Sequence, residues 1–487
     1  VEKYNLYYNI MKDNINKPSI CKDMNIEDCE LQIIRLSVDK SEKRLGAKVA
    51  QSSEIKQIIS LLEDFLQQKR LICYGGTAIN NILPKTEQFY DQNIEVPDYD
   101  FFSYNPIEDA KELSNIYYKN GFTEVEAKSG QHHGTYKVFV NFMPIADITF
   151  IPKELFINLK KTAIKISGIY YAPPNYLRMS MFLELSRPNG DVSRWEKVFK
   201  RLKLLNKHYP LYNKKCFHTS FQRELSTQNE YKQEELFYIL QNILTSQNVV
   251  FFGGYALSLY SRYMPDFIKK QFRHIPDFDI LAENPKTTAD NIKEELISQG
   301  IKNVSIIKHK AIGELIGVNY EIVIGKDTVG FIYEPKACHS YNVIRVNKKN
   351  IKIATIDTIL SFYLAFLYAN KPYYDTDRIL CMATFLFDIQ EKNKLQQIGL
   401  LKRFTISCFG HQESIEEMKL EKSNKFKELK NNKNLKEFEE WFLNYRPDKI
   451  HKSKKNMEEP VIEKEHKKKT KKNIKKKRKT KKMFGIF

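Results

Sequence analysis

Two aspartates stand two residues apart in PDYDFFS (97–103), and the chemistry of this chain starts with them. In an extended segment residues i and i+2 point to one face, so Asp98 and Asp100 present their carboxylates side by side while Tyr99 turns the other way. Two anions held that close repel each other unless a cation sits between them. Mg²⁺ suits the place, because it takes oxygen ligands and commonly uses one or two carboxylates plus substrate phosphates. An Asp-x-Asp alone is weak evidence, since turn caps and surface acids share the spacing. The stretch CYGGTAIN (73–80) sharpens it. Gly75 and Gly76 close an apolar strand and open a helix, which leaves backbone N–H groups and no Cβ at a place where a phosphate can approach. Thr77 adds a hydroxyl donor. A phosphate cradle beside a two-carboxylate metal site describes a nucleoside triphosphate site, and it is not a Walker loop, because GxxxxGK[ST] is absent. Holding two metals calls for a third carboxylate, and Asp147 in the strand-like VFVNFMPIADITFIP (138–152) supplies it.

The elements that must position these residues occur twice. FFGGYALS (251–258) and PDFDILA (276–282) repeat the two phrases, offset by 178 residues at the glycines and 179 at the second aspartate. Each copy reads as a helix, a short apolar strand, a Gly-Gly turn, a second helix, the Asp pair and a third helix. Ile55, Ile58, Ile59, Leu62, Phe65 and Leu66 mark the leading helix of the first copy, and Leu236, Phe237, Leu240, Ile243 and Leu244 that of the second. This is a duplication on the scale of a domain, far above solenoid periods. Setting Pro152 against Pro335 places Gly330 where the first copy has Asp147, with Asp327 an odd number of residues away. The second copy is expected to keep Asp277 and Asp279, to lack the third acid, and to serve architecture rather than catalysis.

Between the copies, LRMSMFLELS and SRWEKVFKRLKLLNKHY read as helices around the turn RPNGD. Arg178, Lys197, Arg201 and Lys203 on them either reach phosphates or form a solvated basic face. His132 and His133 in SGQHHGT read as a surface loop tip. Later helices are expected over Ile356–Asn370, Arg378–Glu391 and, singly or as a pair, Lys419–Asn444, where Phe438, Trp441 and Phe442 form a docking patch. The fold class is α+β: two tandem domains of mixed β-sheet with helices, joined by a helical connection. The boundaries are an N-terminal segment 1–48, a catalytic domain 49–172, a connecting region 173–228, an inactive second domain 229–400, C-terminal helices 401–450 and a basic disordered tail 451–487.

The chain is strongly basic, with 79 Lys and Arg against 59 Asp and Glu. From His451 to Phe487, fifteen lysines and one arginine face four acids, a composition that cannot bury a core. The tail reads as a nucleic-acid arm, ahead of an import signal or a solubilising extension. No apolar run approaches the ~18 residues of a membrane span, and VEKYNLYYNIMKDN lacks the order of a signal peptide. Seven scattered cysteines without a CxxC read as free buried thiols of a reducing compartment; Cys408 and His411 make at most half a zinc site.

The order strand, Gly-Gly-Thr, helix, Asp-Tyr-Asp and later strand Asp resembles the nucleotidyltransferase superfamily that includes polymerase β. YGGTAIN, PDYDFF, ADITF and LRMSMFLELSRPNGDVSRWEKVFKRLKLL further resemble the poly(A) polymerase catalytic subunits of large cytoplasmic DNA viruses, of the poxvirus and mimivirus type, over roughly residues 50–400. The segment from Gly76 to Asp98 is longer than in most of the superfamily, and KTEQFYDQNIEV either lines the site or decorates it. The resemblance implies two tandem nucleotidyltransferase-like units and transfer of AMP from ATP to the 3′-hydroxyl of mRNA with two Mg²⁺ or Mn²⁺ ions. Asp98 and Asp100 would bind both metals, Asp147 the one that activates the 3′-hydroxyl, and Gly75, Gly76 and Thr77 the triphosphate, with Arg178 and Lys197 as further nucleotide contacts. RNA is the implied partner, with a homodimer or a cap-modifying or processivity subunit as further options, and the infected cell's cytoplasm, or the virion, as the location. A CCA-adding or 2′–5′ oligoadenylate type enzyme and an inactive RNA-binding scaffold are the alternatives. Phosphate contacts alone do not distinguish RNA from DNA.

Overall fold

A computed structural model describes residues 19–449 apart from 92, 213–215, 217–218, 224, 227–231 and 271. The expected basic tail therefore lies outside the described residues. The chain divides into two compact units, one of residues 1–104 with 151–414 and one of residues 105–150 with 415–487.

The first unit opens with helix α1 (Ile26–Ala50), which the sequence reading missed, capped by Asn25, whose side chain accepts from Asp28 N. Next come α2 (Ser53–Lys69), β1 (Ile72–Tyr74), α3 (Gly75–Ile82) and β2 (Tyr99–Ser103). Ser52 caps α2, whose apolar stripe Ile55, Ile58, Leu62, Phe65 and Leu66 is buried as its spacing requires. Residues 105–150, in the other unit, form α4 (Pro106–Lys119), β3 (Val125–Ser129), β4 (Thr135–Val140) and β5 (Met143–Phe150). The first unit resumes with α5 (Lys153–Thr162), β6 (Ile164–Ile166), β7 (Ile169–Tyr171), α6 (Pro174–Leu185) and α7 (Trp195–His208). Its second series is α8 (Gln233–Thr245), β8 (Val250–Phe251), α9 (Gly254–Tyr260), β9 (Phe278–Leu281), α10 (Pro285–Ser298), β10 (Val304–His309), β11 (Asn319–Ile324), β12 (Asp327–Tyr333), β13 (His339–Val346) and β14 (Lys349–Ala354). Helices α11 (Ile356–Ala369) and α12 (Thr376–Lys392) follow. The second unit is completed by α13 (Ile415–Leu429), α14 (Lys436–Phe442) and β15 (Asn444–Tyr445).

In the first unit strands run in the order β2-β1-β7-β6, with β1 antiparallel to β2 and parallel to β7. The second series runs β10-β11-β12-β9-β8-β14-β13, again mixed, with β12 and β9 parallel. In the second unit β15, β3, β4 and β5 follow one another antiparallel. Element for element, β8, β9 and β14 repeat β1, β2 and β7, and β10 to β12 repeat β3 to β5, so the duplication read from the glycines extends to strand order. The two strand sets of the first unit are mixed and that of the second unit is antiparallel, each accompanied by helices, the expected α+β class. Among the described residues no helix is long and apolar enough to cross a membrane.

Two expectations need correction. The cysteines are not free thiols: Cys21–Cys29, Cys216–Cys381 and Cys338–Cys408 are disulfides, and Cys73 is the free, buried one. Sequence spacing could not show this, because the fold brings residues 165 and 70 positions apart to Cα separations of 5.2 and 5.1 Å. Cys408 is thereby removed from any zinc half-site. The alignment of the copies also moves by one residue. A bulge skips Ile145, so Val138 faces Ala146 and Phe139 faces Pro144, and the matching bulge skips Val329, so Ile322 faces Gly330 and Val323 faces Thr328. Ala146 thus corresponds to Gly330, and Asp147 to Phe331. The second copy has no third acid at that register, but the residue in its place is a buried phenylalanine.

Candidate active site

Strand β1 pairs with β2 so that Tyr74 lies opposite Asp100, which sets Asp100 beside the Gly-Gly turn. Gly75 has φ +73°, a conformation L-residues avoid, and a Cβ built there would stand 2.4 Å from Asp100 Oδ2. Only glycine lets the carboxylate lie against the start of α3. Tyr74 precedes that helix without a side-chain cap, and the first turn carries no acidic residue. The helix end therefore keeps its electropositive character toward an anion. A Cβ on Gly76 would stand 2.6 Å from the Tyr90 hydroxyl and 2.9 Å from Arg201 Nη1, so a tyrosine and a guanidinium close the other side of the turn.

The alternation read from PDYDFFS holds. Tyr99 is buried and its hydroxyl donates to Glu63 Oε1 at 2.6 Å, whereas Asp98 is exposed and Asp100 half-buried. Thr77 is buried, and its hydroxyl donates to the backbone carbonyl of Asp98 at 2.5 Å. It ties α3 to the first aspartate instead of offering a free donor. The long segment after α3 lines the turn rather than decorating the surface: Asn80 Oδ1 accepts from the N–H groups of Phe89 and Tyr90 at 2.8 and 2.9 Å. Arg201 reaches this segment from α7, donating from Nη2 to the Tyr90 hydroxyl at 2.5 Å and lying 4.8 Å from the Phe89 ring centroid. Tyr90 is the contact that sequence reasoning did not single out, since nothing in its flanking residues marks it.

The other basic candidates separate. Lys197 is exposed on α7, and partial desolvation of its ammonium together with the charges of Arg201 and Arg194 holds it below the usual lysine value. Positions 194, 197 and 201 lie on one helix stripe and present a basic edge. Arg178 does not join it. It is 0% exposed, its Nε donates to Asn206 Oδ1 at 2.7 Å, and its terminal nitrogens donate to Asn175 and to the Tyr209 carbonyl. The arginine read as a phosphate contact is an internal brace between α6 and the end of α7, and burial pushes its pKa down to about 10.

In the second unit Asp147 lies opposite Lys137 on β4, and the two form an ion pair through Oδ2. Its Oδ1 is buried and has no hydrogen-bond partner among the described residues. A buried carboxylate oxygen left in this state is costly and fits a further cation. Among the described residues no group of three or more His, Cys, Asp or Glu is arranged to hold a metal ion. His132 and His133 are exposed, as expected, though the His133 ring packs 4.2 Å from Trp441, part of the apolar patch of α14.

Residues 60–191 match the family model of the poly(A) polymerase catalytic subunit. A mimivirus protein of Acanthamoeba polyphaga, described as "Putative poly(A) polymerase catalytic subunit", is 33% identical over 217 residues, 43% of this chain and 34% of that protein. A protein of African swine fever virus (isolate Pig/Kenya/KEN-50/1950) with the same description is 32% identical over 202 residues, 38% of this chain and 42% of that protein. The matches span less than half the length of these curated relatives. The crystal structure of the Megavirus polyadenylate synthase superposes with a TM-score of 0.71 at 20% identity, over 91% of this chain and 89% of that one. The chain is thus similar in sequence to the viral poly(A) polymerase catalytic subunits around the Gly-Gly turn and the aspartates, and shares the fold of a viral polyadenylate synthase over most of its length.

Proposed function

We propose that this chain is a template-independent poly(A) polymerase that transfers AMP from ATP to the 3′-hydroxyl of RNA. The observation that carries the reading is the Asp100 carboxylate lying against the uncapped start of α3 at Gly75. It puts a cation-seeking group beside a phosphate-seeking one, as a metal-bound triphosphate requires.

In this reading Asp98 and Asp100 would hold the divalent ions, Mg²⁺ or Mn²⁺, with Asp147 as the third carboxylate. The buried, unpartnered Oδ1 of Asp147 and the oxygen-rich donor set fit such ions. When bound, they neutralise the triphosphate and lower the proton affinity of the attacking hydroxyl. The chain's own residues supply position and charge. The first-turn amides of α3 receive phosphate oxygens, and Arg201 with Lys197 adds positive charge on the α7 side. Thr77 fixes Asp98 through its carbonyl, and Lys137 orients Asp147. The 3′-oxygen forms a bond to the α-phosphorus as the bond to pyrophosphate breaks and the hydroxyl proton leaves. Positioning and electrostatic stabilisation carry most of such a transfer.

A primer-extension assay tests this. A short unstructured RNA is offered each of the four nucleoside triphosphates separately, with Mg²⁺ or Mn²⁺. Long tails from ATP alone are expected. Addition of one or a few residues only, or equal use of all four, points instead to another nucleotidyltransferase. RNA binding with no extension under any condition overturns the enzymatic reading.

A further inference from the structure

Two carboxylates two residues apart and out of water need a cation, and in the second copy the chain brings its own. Asp277 and Asp279 are 2% and 7% exposed. Arg223 inserts between them, Nη1 lying 3.3 Å from Asp277 Oδ1 and Nη2 donating to Asp279 Oδ1 at 3.1 Å. The Arg223 N–H also donates to Asp277 Oδ2 at 3.4 Å, and Arg378 approaches the same oxygen at 3.4 Å. The guanidinium lies 4.7 Å from the centroid of Phe331, the residue at the register of Asp147. Where the first copy has a third carboxylate, the second has a ring that supports a fixed cation.

The segment that carries Arg223 is fastened on both sides. Gln222 exchanges two hydrogen bonds with the backbone of Arg273, both 2.8 Å. Ser226 N donates to Asp327 Oδ1 at 2.8 Å, which gives that stray aspartate a structural task. Phe221 packs against Phe272 and Phe385, and Cys216 is disulfide-bonded to Cys381 on α12. The fit to the carboxylates is still incomplete: Asp277 Oδ1 and Arg223 Nη1 are buried and make no hydrogen bond, only the charge contact. A planar fork cannot serve two separate carboxylates as fully as a small ion that takes oxygens from any direction.

We propose that Asp277 and Asp279 form a divalent-cation position that Arg223 occupies, so that the native second copy takes no metal and withdrawal of Arg223 opens the site to Mg²⁺ or Mn²⁺. The occupant and its substitute are both cations, and the turn glycines of this copy sit on the same carboxylates. A Cβ on Gly253 or Gly254 would stand 2.1 or 2.4 Å from Asp279 or Asp277 Oδ2.

The test counts bound Mn²⁺ by electron paramagnetic resonance in the full-length protein, in Arg223→Ala, and in Arg223→Ala combined with Asp277→Asn and Asp279→Asn. All three share the first copy, so ions bound there cancel in the difference and the proposal stands or falls apart from the polymerase reading. One additional Mn²⁺ in Arg223→Ala, lost again in the triple variant, is expected, while Arg223→Lys should count like the wild type. Equal counts in folded Arg223→Ala and wild type overturn the proposal. Should Arg223→Ala not fold, Arg223→Gln keeps volume without charge; excess Mn²⁺ should then raise its thermal midpoint and leave that of the wild type unmoved. No such rise overturns the proposal equally.

Discussion

Replacing Gly75 by alanine separates the catalytic from the architectural use of the same motif. The added Cβ meets two penalties. At φ +73° the backbone is left-handed, which costs an L-residue roughly 1–3 kcal/mol. The methyl group also falls 2.4 Å from Asp100 Oδ2, well inside contact distance, so the carboxylate must move by an ångström or so. A shift of about 1 Å at a reacting centre costs on the order of 10²-fold in rate. Gly253→Ala is the matched control, because it too crowds a carboxylate, Asp279 at 2.1 Å, but its φ is −84° and its site holds the Arg223 guanidinium. The expected result is a loss of about 10²-fold in extension rate for Gly75→Ala, measured below its unfolding temperature with saturating ATP. Gly253→Ala should lower the thermal midpoint and leave the rate within about threefold of wild type, a change under 1 kcal/mol. Wild-type rates in folded Gly75→Ala, or equal losses in the two variants, would refute the assignment of chemistry to the first copy.

Asp98→Ala and Asp100→Ala should each reduce extension by roughly 10³-fold or more, read on the same gels with circular dichroism to confirm folding. Arg201→Ala should raise the KM for ATP by about 10–100-fold, the worth of one charge-assisted phosphate contact. Arg178→Met should instead leave KM unchanged and lower the denaturation midpoint, because its guanidinium only braces α6 and α7. Burial, with the Arg187 charge, holds His339 down to about 3, and neither ring nitrogen has a hydrogen-bond partner among the described residues. Below pH 6.5 the unfolded state binds a proton that the folded state refuses, so stability falls as pH drops from about 6.5 toward 3. Between pH 7 and 5 this group accounts for about 2 kcal/mol of that loss. His339→Leu should remove that part of the slope in urea unfolding at the two pH values. Reduction of Cys216–Cys381, or Cys216→Ser, should cost roughly 2–4 kcal/mol of stability, seen as a lower midpoint in reducing than in oxidising buffer.

Much of the frame was legible because it is written in short-range patterns. The stripe Ile55–Leu66 and the Gly-Gly turns announce their elements through spacing alone, and the alternation of Asp98, Tyr99 and Asp100 announces which side chains share a face. What escaped depends on long-range placement. The stretch from Asp147 to Pro152 is one residue longer than that from Phe331 to Pro335, so anchoring the copies on their prolines set Asp147 against Gly330, whereas the strand register with its matching bulges at Ile145 and Val329 sets it against Phe331. Arg178 reads as a basic helix residue until the helix is packed, after which it is wholly interior. Helix α1 went unread because its apolar residues fall on opposite sides: Leu31, Ile34 and Leu45 share one stripe and are 49%, 57% and 62% exposed, while Ile33 and Leu36 lie across the helix from them. Arg223 lies in a segment with neither periodicity nor motif, and its meaning comes only from the two aspartates it meets more than fifty residues later.

The second unit is assembled from two stretches of chain, and this fixes the order in which it can be completed during synthesis. Its edge strand β3 is covered by β15, and Tyr136 of β4 donates to the carbonyl of Glu440, 304 residues downstream. At about 5–20 residues per second, the covering segment leaves the ribosome roughly 15–60 seconds after the strands it protects. For that interval β3 presents unpaired backbone groups, the template on which misassembly starts. Chains stopped before residue 415 would keep both series of the duplication and still carry that open edge, so they should aggregate although the first unit is whole.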